Sequence, residues 1–264
     1  MLCAKALCKM RRVLCLLAIP LLTTGCTRPI NRAAERRIRD VLPAYIGPAR
    51  RWLAHVENAP ERTIRGKLSR VTIEGSDVEL ARAVSLGSLR IEIRDADVDT
   101  RKGMLRRVGS THFRAVITEA GLNRYIRDFP PPPEEPVRYN RVRLRDGGLD
   151  VQGIRRVLGR DISFSISTEP VLVGVNELRF EPERMRVAGL PVPLPAAALR
   201  WLAHRLSEGM NFSTLPFSVQ VIKVSATRSG IEFIGSADVM ESLNRRLSAW
   251  LNETPEPIVS ASDE

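Results

Sequence analysis

From Pro60 onward, apolar and polar residues alternate with a period of two in one run after another, which is the signature of strands with a single buried face. Leu89, Ile91 and Ile93 interleave with Arg90, Glu92 and Arg94. Val142 and Leu144 sit between Arg141, Arg143 and Arg145, and Ile162, Phe164 and Ile166 alternate with Ser163, Ser165 and Ser167. A helix would scatter each apolar set around its circumference, whereas a strand gathers it on one face. Turn chemistry falls between the runs. Asp146-Gly147-Gly148 links the strand ending at Arg145 to one through Leu149 and Val151, and Ser229-Gly230 does the same between Val224 and Ile231. The two hairpins read alike, VRLRDGGLDVQG and VSATRSGIEFIG, an echo too short to count as a repeat.

Helical spacing precedes this pattern in one place and punctuates it in three more. From Ile30 to Val56 the chain reads as a helix with Ile38, Val41, Leu42, Tyr45 and Ile46 on one stripe and Arg32, Arg36, Arg37 and Arg39 elsewhere, broken by Pro43 and Gly47-Pro48. Two readings fit it: a basic amphipathic helix lying on an anionic leaflet, or the first packed helix of the fold. A second helix follows Thr118 as N-cap, with Leu122, Tyr125, Ile126 and Phe129 as its stripe, and stops at the proline run 130–133. A third starts near Pro195 and presents Leu199, Leu202, Ala203 and Leu206; a fourth opens with Asp238 and Glu241 and carries Leu243, Leu247, Trp250 and Leu251. Many antiparallel strands with a few helices among them make an α+β protein built on a strongly curved sheet or barrel that wraps the helices. No self-sufficient core stands on each side of the proline run, so residues 61–252 are read as one domain, with 253–264 a disordered tail.

The N-terminus bounds the compartment. Lys5, Lys9, Arg11 and Arg12 precede a largely apolar run from Val13 to Leu22, too short to span a bilayer but of signal-peptide length. It ends in Leu22-Thr23-Thr24-Gly25-Cys26, which resembles the lipobox of bacterial lipoproteins, so residues 1–25 are expected to be removed and Cys26 lipidated. Residues 26–60 then form a tether and the basic helix. Cys3, Cys8 and Cys15 leave with the signal, and Cys26 alone remains, which excludes an intramolecular disulfide. This places the protein in the cell envelope as a membrane-anchored lipoprotein facing the periplasm or exterior. Formal net charge is +11, or +7 without the first 25 residues, nearly all from arginine. In the cytosol that balance would suggest nucleic acid. Outside it, the anionic partners are phospholipid headgroups and envelope polymers, and nucleic acid is not expected.

Catalytic chemistry finds little to stand on. His55, His112 and His204 are far apart and have no metal-ligand spacing, and no nucleophile elbow, P-loop or dinucleotide fingerprint occurs. Asp95, Asp97 and Asp99 mimic the opening of a calcium loop, but its sixth and twelfth positions are Thr100 and Arg106 instead of glycine and glutamate. Neither a metal nor a cofactor is expected, and the chain is read as a non-enzyme. What it offers is aliphatic surface: 44% of residues are apolar and only 5% aromatic, so the inner strand faces are mostly Val, Ile and Leu. Such a face serves either as ordinary core or as the lining of a tube for acyl chains. About fifteen methylenes at ~0.8 kcal/mol each give on the order of 10 kcal/mol gross, enough to hold a lipid tail without a specific hydrogen bond.

In order along the chain stand GKLSRVTIEGSDVEL, LGSLRIEIRDADVD, AVITEAGLNRYI, the VRLRDGGLDVQG hairpin, LRFEPERMRVAGLPVP and LPFSVQVIKVSATRSGIEFIG. That ordered set, from about Thr63 to Leu247, resembles the LmeA-like phospholipid-binding family of bacterial envelope proteins. The resemblance implies an elongated fold similar to tubular lipid-binding proteins, in which a bent antiparallel sheet wraps helices around an apolar cavity. It implies phospholipid as partner, no cofactor and no catalytic residues to carry over. The lipobox departs from secreted members and suggests tethering in place of free shuttling. Alternation then nominates the lipid-binding residues: Leu122, Ile126 and Phe129 on one helix, Leu199, Leu202 and Leu206 on another, and Ile162, Phe164 and Ile166 on a strand. The main alternative is a structural lipoprotein whose basic face binds an anionic envelope polymer. A third reading, an envelope-glycan hydrolase or transferase, would have to use Asp95, Asp97 and Asp99. Oligomeric state is not legible.

Overall fold

The computed structural model describes residues 27–80, 84–99, 104–128, 137–174, 177–192 and 218–238. Their order is α1 (Thr27–Tyr45), β1 (Ala49–Glu57), α2 (Pro60–Ile64), β2 (Lys67–Val78), β3 (Leu86–Asp99), β4 (Met104–Arg107), β5 (Ser110–Ile117), α3 (Glu119–Asp128), β6 (Val137–Arg145), β7 (Gly148–Val157), β8 (Arg160–Val173), β9 (Glu177–Val187), β10 (Leu190–Val192), β11 (Ser218–Thr227) and β12 (Gly230–Asp238). The expected third and fourth helices, with Leu199, Leu202 and Leu206, fall outside these residues, as do the signal segment, Cys26, Phe129 and the C-terminal tail.

The described strands make two open antiparallel sheets in place of a single barrel. One runs β1-β2-β3-β5-β12-β11, with β4 paired to β3; the other runs β10-β9-β8-β7-β6. Every pairing is antiparallel. The α+β class holds and strands dominate.

The helix expected from Ile30 to Val56 ends at Tyr45. Gly47, at φ +143, and Pro48 turn the chain, and it continues as β1. The period changes there from helical to two: Trp52 and Val56 are buried while Arg51, Leu53, His55 and Glu57 face out. Of the two readings of α1, packing accounts for most of its apolar stripe, while Val41, expected on that stripe, is 43% exposed. Leu42 is buried in the core and Ala34, Ile38 and Ile46 pack against it. α3 begins as expected, with Thr118 Oγ1 accepting a hydrogen bond from Gly121 N at 3.2 Å.

Each sheet has an outer strand that a helix closes by the same device. On β1, Glu35 of α1 accepts from Val56 N at 2.9 Å, and Asn31, four residues earlier, donates to Val56 O at 3.4 Å and Asn58 O at 2.9 Å. On β6, Asn123 of α3 accepts from Val142 N and donates to Val142 O, both at 2.8 Å, while Glu119 accepts from Leu144 N at 3.0 Å. Residues four apart share one helix face, so a single turn presents both side chains to the strand. They satisfy backbone groups that would otherwise invite pairing with another chain.

The two sheets meet where the echoing hairpins meet. Gly147, in the turn between β6 and β7, donates its N–H to Ala226 O of β11 at 3.0 Å. Arg228, in the turn between β11 and β12, pairs with Asp146 at 3.2 Å. A single cluster of buried apolar side chains runs through both sheets, from Leu42 and Trp52 to Leu178 and Phe180.

Candidate functional site

The period-two pattern divides the seven-stranded sheet into two chemically opposite faces. On one, register aligns Val56, Val71 and Ile93 in one row and Ile73, Ile91 and Phe113 in the next. A further row joins Gly75, Leu89, Ala115 and Phe233. All but the half-buried Ile93 are buried. Small residues stand beside large rings where the rows would otherwise collide: Gly75 lies opposite Trp52, and a Cβ there would come within 2.5 Å of the indole.

The opposite face is a network of ions. Arg70 pairs with Glu57 at 3.2 Å and with Glu92 at 3.3 Å, Arg94 with Glu92 at 2.6 Å, Arg90 with Glu74 at 2.9 Å, and Arg114 with Glu232. These partly exposed pairs contribute little each, but they commit that face to water. The hydrogen bond from Arg94, with Arg70 and Arg90 nearby, holds the Glu92 carboxyl below its ordinary value despite some opposing desolvation. A depressed carboxyl contributes stability above its unfolded pKa and loses it as pH falls through the folded one. Glu92→Gln is therefore expected to lower the melting temperature slightly at neutral pH, and the difference should vanish in acid. Thermal melts across pH check it.

The five-stranded sheet repeats the apolar face. Val142, Val151 and Ile166 line up across β6, β7 and β8, all buried. Next to them Tyr139 and Phe164 meet edge to face with centroids 6.0 Å apart at 89°. Gly153 lies between the two in the register, and a Cβ on it would reach 2.5 Å from the Phe164 ring. On these apolar faces two hydroxyls, Thr111 Oγ1 and Thr168 Oγ1, are buried with no hydrogen-bond partner among the described residues. A buried polar atom left so is disfavoured by about 1–3 kcal/mol, and either could donate to an ester or carbonyl oxygen.

The nominated residues divide as follows. Leu122, at 1% exposure, and Ile166, at 2%, lie within the core, and Ile126 and Phe164 are half-buried against it. Ile162 is half-buried near the start of β8. Ile162, Phe164 and Ile166 share one face of β8, while Leu122 and Ile126 sit on α3, which packs on β6. Phe129, Leu199, Leu202 and Leu206 are outside the described residues. Sequence reasoning missed Thr111 and Thr168, although each is a threonine at an inward position of an alternating run. It also missed the small-beside-large pairing, whose only sequence signal is a glycine within a strand.

The aspartates do not assemble into a metal centre. Asp99 pairs with Arg106 at 2.6 Å, and no group of three His, Cys, Asp or Glu able to hold a metal occurs among the described residues. Asp99 in turn raises the Arg106 guanidinium above its usual value. No described helix is long and apolar enough to cross a membrane.

Comparison with characterised proteins returns no match, and comparison with solved structures returns none either. A family model does match, over residues 27–236, from the start of α1 into β12. The match takes in both sheets, their shared apolar core and both edge-closing helices, and the chain therefore belongs to the LmeA-like phospholipid-binding family.

Proposed function

We propose that this protein is a membrane-tethered lipoprotein that holds phospholipid acyl chains against the apolar faces of its two sheets and takes part in envelope lipid transport or maintenance. The observation that carries the reading is an aliphatic face continued across β1, β2, β3, β5 and β12 in a chain of a phospholipid-binding family. Acyl chains need area and not directed bonds, so a binding site of this kind carries no motif. In this reading the sheets curve about the chains. Leu122, Ile126, Phe129, Leu199, Leu202, Leu206, Ile162, Phe164 and Ile166 line the lipid, and Thr111 and Thr168 reach its ester oxygens. Cys26 carries the anchor, residues 1–25 are removed, and the protein faces the periplasm or exterior. No bond is made or broken on the lipid.

Native mass spectrometry of the chain from Thr27 onward, which contains every described element, tests the proposal. Co-isolated phospholipid, or uptake of a fluorescent phospholipid, is the expected result. Purification without lipid together with no uptake would defeat it. The anchor is tested separately by metabolic labelling with an alkyne fatty acid, which Cys26→Ser should abolish.

A further inference from the structure

At one end of the five-stranded sheet the apolar character runs out into solvent. The turn between β7 and β8 is Leu158-Gly159 and that between β9 and β10 is Ala188-Gly189, with positive φ at all four residues. That is the geometry of a two-residue type I′ turn, which favours Asn, Asp or Gly at its first position. Val157 pairs with Arg160, and Val187 with both Leu190 and Phe164, so the two turns lie at the same end of the sheet.

The first position of the β7–β8 turn holds a leucine. Leu158 sits at φ +50, a conformation that disfavours a side chain of its kind, and is 99% exposed, so it returns nothing to the fold. Leu190 is 69% exposed, and Val157 beside Leu158 is exposed too. Around these turns stand Arg138, Arg155, Arg156, Arg160 and Arg186, all exposed and none in an ion pair with a described residue. Asp161 is the single acid within the β7–β8 turn region from Arg155 to Ile162.

We infer that this end of the sheet docks on an anionic phospholipid bilayer, with Leu158 and Leu190 entering the acyl region and the five arginines meeting lipid phosphates. Guanidinium binds phosphate through paired hydrogen bonds, and apolar residues ringed by basic ones are the composition of an interfacial membrane contact. A second copy of the chain fits poorly, since it would set five guanidinium groups against five. The inference goes beyond the proposed carriage of lipid: here the partner is the bilayer surface, and no tail needs to leave it.

Cosedimentation of the chain from Thr27 onward, which excludes any anchor at Cys26, tests it. Vesicles of phosphatidylcholine and phosphatidylglycerol are compared with vesicles of phosphatidylcholine alone. Binding is expected to the anionic vesicles and to weaken with salt. Leu158→Asn and Leu190→Ser should each reduce partitioning, by about tenfold together. Leu158→Asn relieves the turn and should leave the melting temperature unchanged or raised. Arg155→Gln with Arg156→Gln should flatten the salt dependence.

Unchanged partitioning in the folded double-leucine variant would overturn the inference, as would equal binding to neutral vesicles. Unfolding of Leu158→Asn would contradict the turn geometry it stands on. A shift from dimer to monomer in the leucine variants, with vesicle binding intact, would assign the leucines to self-association instead. Fluorescent phospholipid uptake measured on the same variants should be retained, which separates failure of docking from failure of lipid carriage.

Discussion

Replacing Gly235 by alanine is expected to destabilise the fold by about 3 kcal/mol or more, a large share of the ~5–15 kcal/mol typical of a domain. Gly235 lies on β12 between Phe113 of β5 and Val221 of β11. A Cβ there would overlap the backbone oxygen of Gln220 and come within 2.7 Å of the Phe113 ring. Neither neighbour can yield cheaply, because one is main chain and the other is a buried ring. The displaced strand would be β11, whose Ala226 accepts the hydrogen bond from the β6–β7 turn, so the wedge should also loosen the joint between the sheets. Urea titration reads the loss, and hydrogen exchange at Gly147 reads the loosening. Gly189→Ala is the contrast. Nothing lies within 4 Å of its Cβ position, and only its φ of +84 opposes alanine, so about 1 kcal/mol is expected.

Asn123→Ala should lower stability by about 2–4 kcal/mol, since it strips both the N–H and the C=O of Val142 of partners at a position with 0% exposure. Water cannot easily replace them there. The same change exposes an unpaired strand edge, so the variant should also self-associate on partial denaturation. Hydrogen exchange should quicken first at Val142, and at Leu144 only if Glu119 is displaced as well. A variant as stable as the parent, with Val142 still protected, would show that the edge is closed by something other than α3.

The common logic of α1 and α3 explains part of what escaped the sequence reading. Asn31 with Glu35, and Glu119 with Asn123, are each a polar pair at i,i+4 on an amphipathic helix. Such a pair reads as solvated surface, because nothing local distinguishes a side chain facing water from one facing a strand edge. Helical spacing over Ile30 to Val56 overshoots the helix, which ends at Tyr45, for a related reason. Arg51, His55 and Glu57 alternate with Trp52, Ala54 and Val56, but a short alternating run next to a strong helical stripe is overridden by the longer signal. The hairpin echo has a spatial counterpart: the turns of VRLRDGGLDVQG and VSATRSGIEFIG meet at the sheet joint. An echo along the chain cannot say whether its two copies touch.

Other elements were legible throughout. The alternating runs at 89–94, 141–145 and 162–167 all lie in strands, Thr118 caps the helix that follows it, and Asp146-Gly147 turns a hairpin. Of the nominated residues described, Leu122 and Ile166 are deeply buried and the others half-buried, which is what alternation can deliver: a face, but not whether that face meets a ligand or another side chain.

Local order thus determined which residues face inward, where strands turn and where helices begin, because side-chain period and turn chemistry act over a few residues. Tertiary structure alone decided that the described strands split into two open sheets, that helical Asn and Glu side chains close their edges, and that an exposed leucine turn falls at the same end of a sheet as a second turn, amid arginines that form no ion pair with a described residue. Those features depend on contacts between segments distant in sequence, and the free energy of such contacts is set by which surfaces meet, a quantity no local window contains.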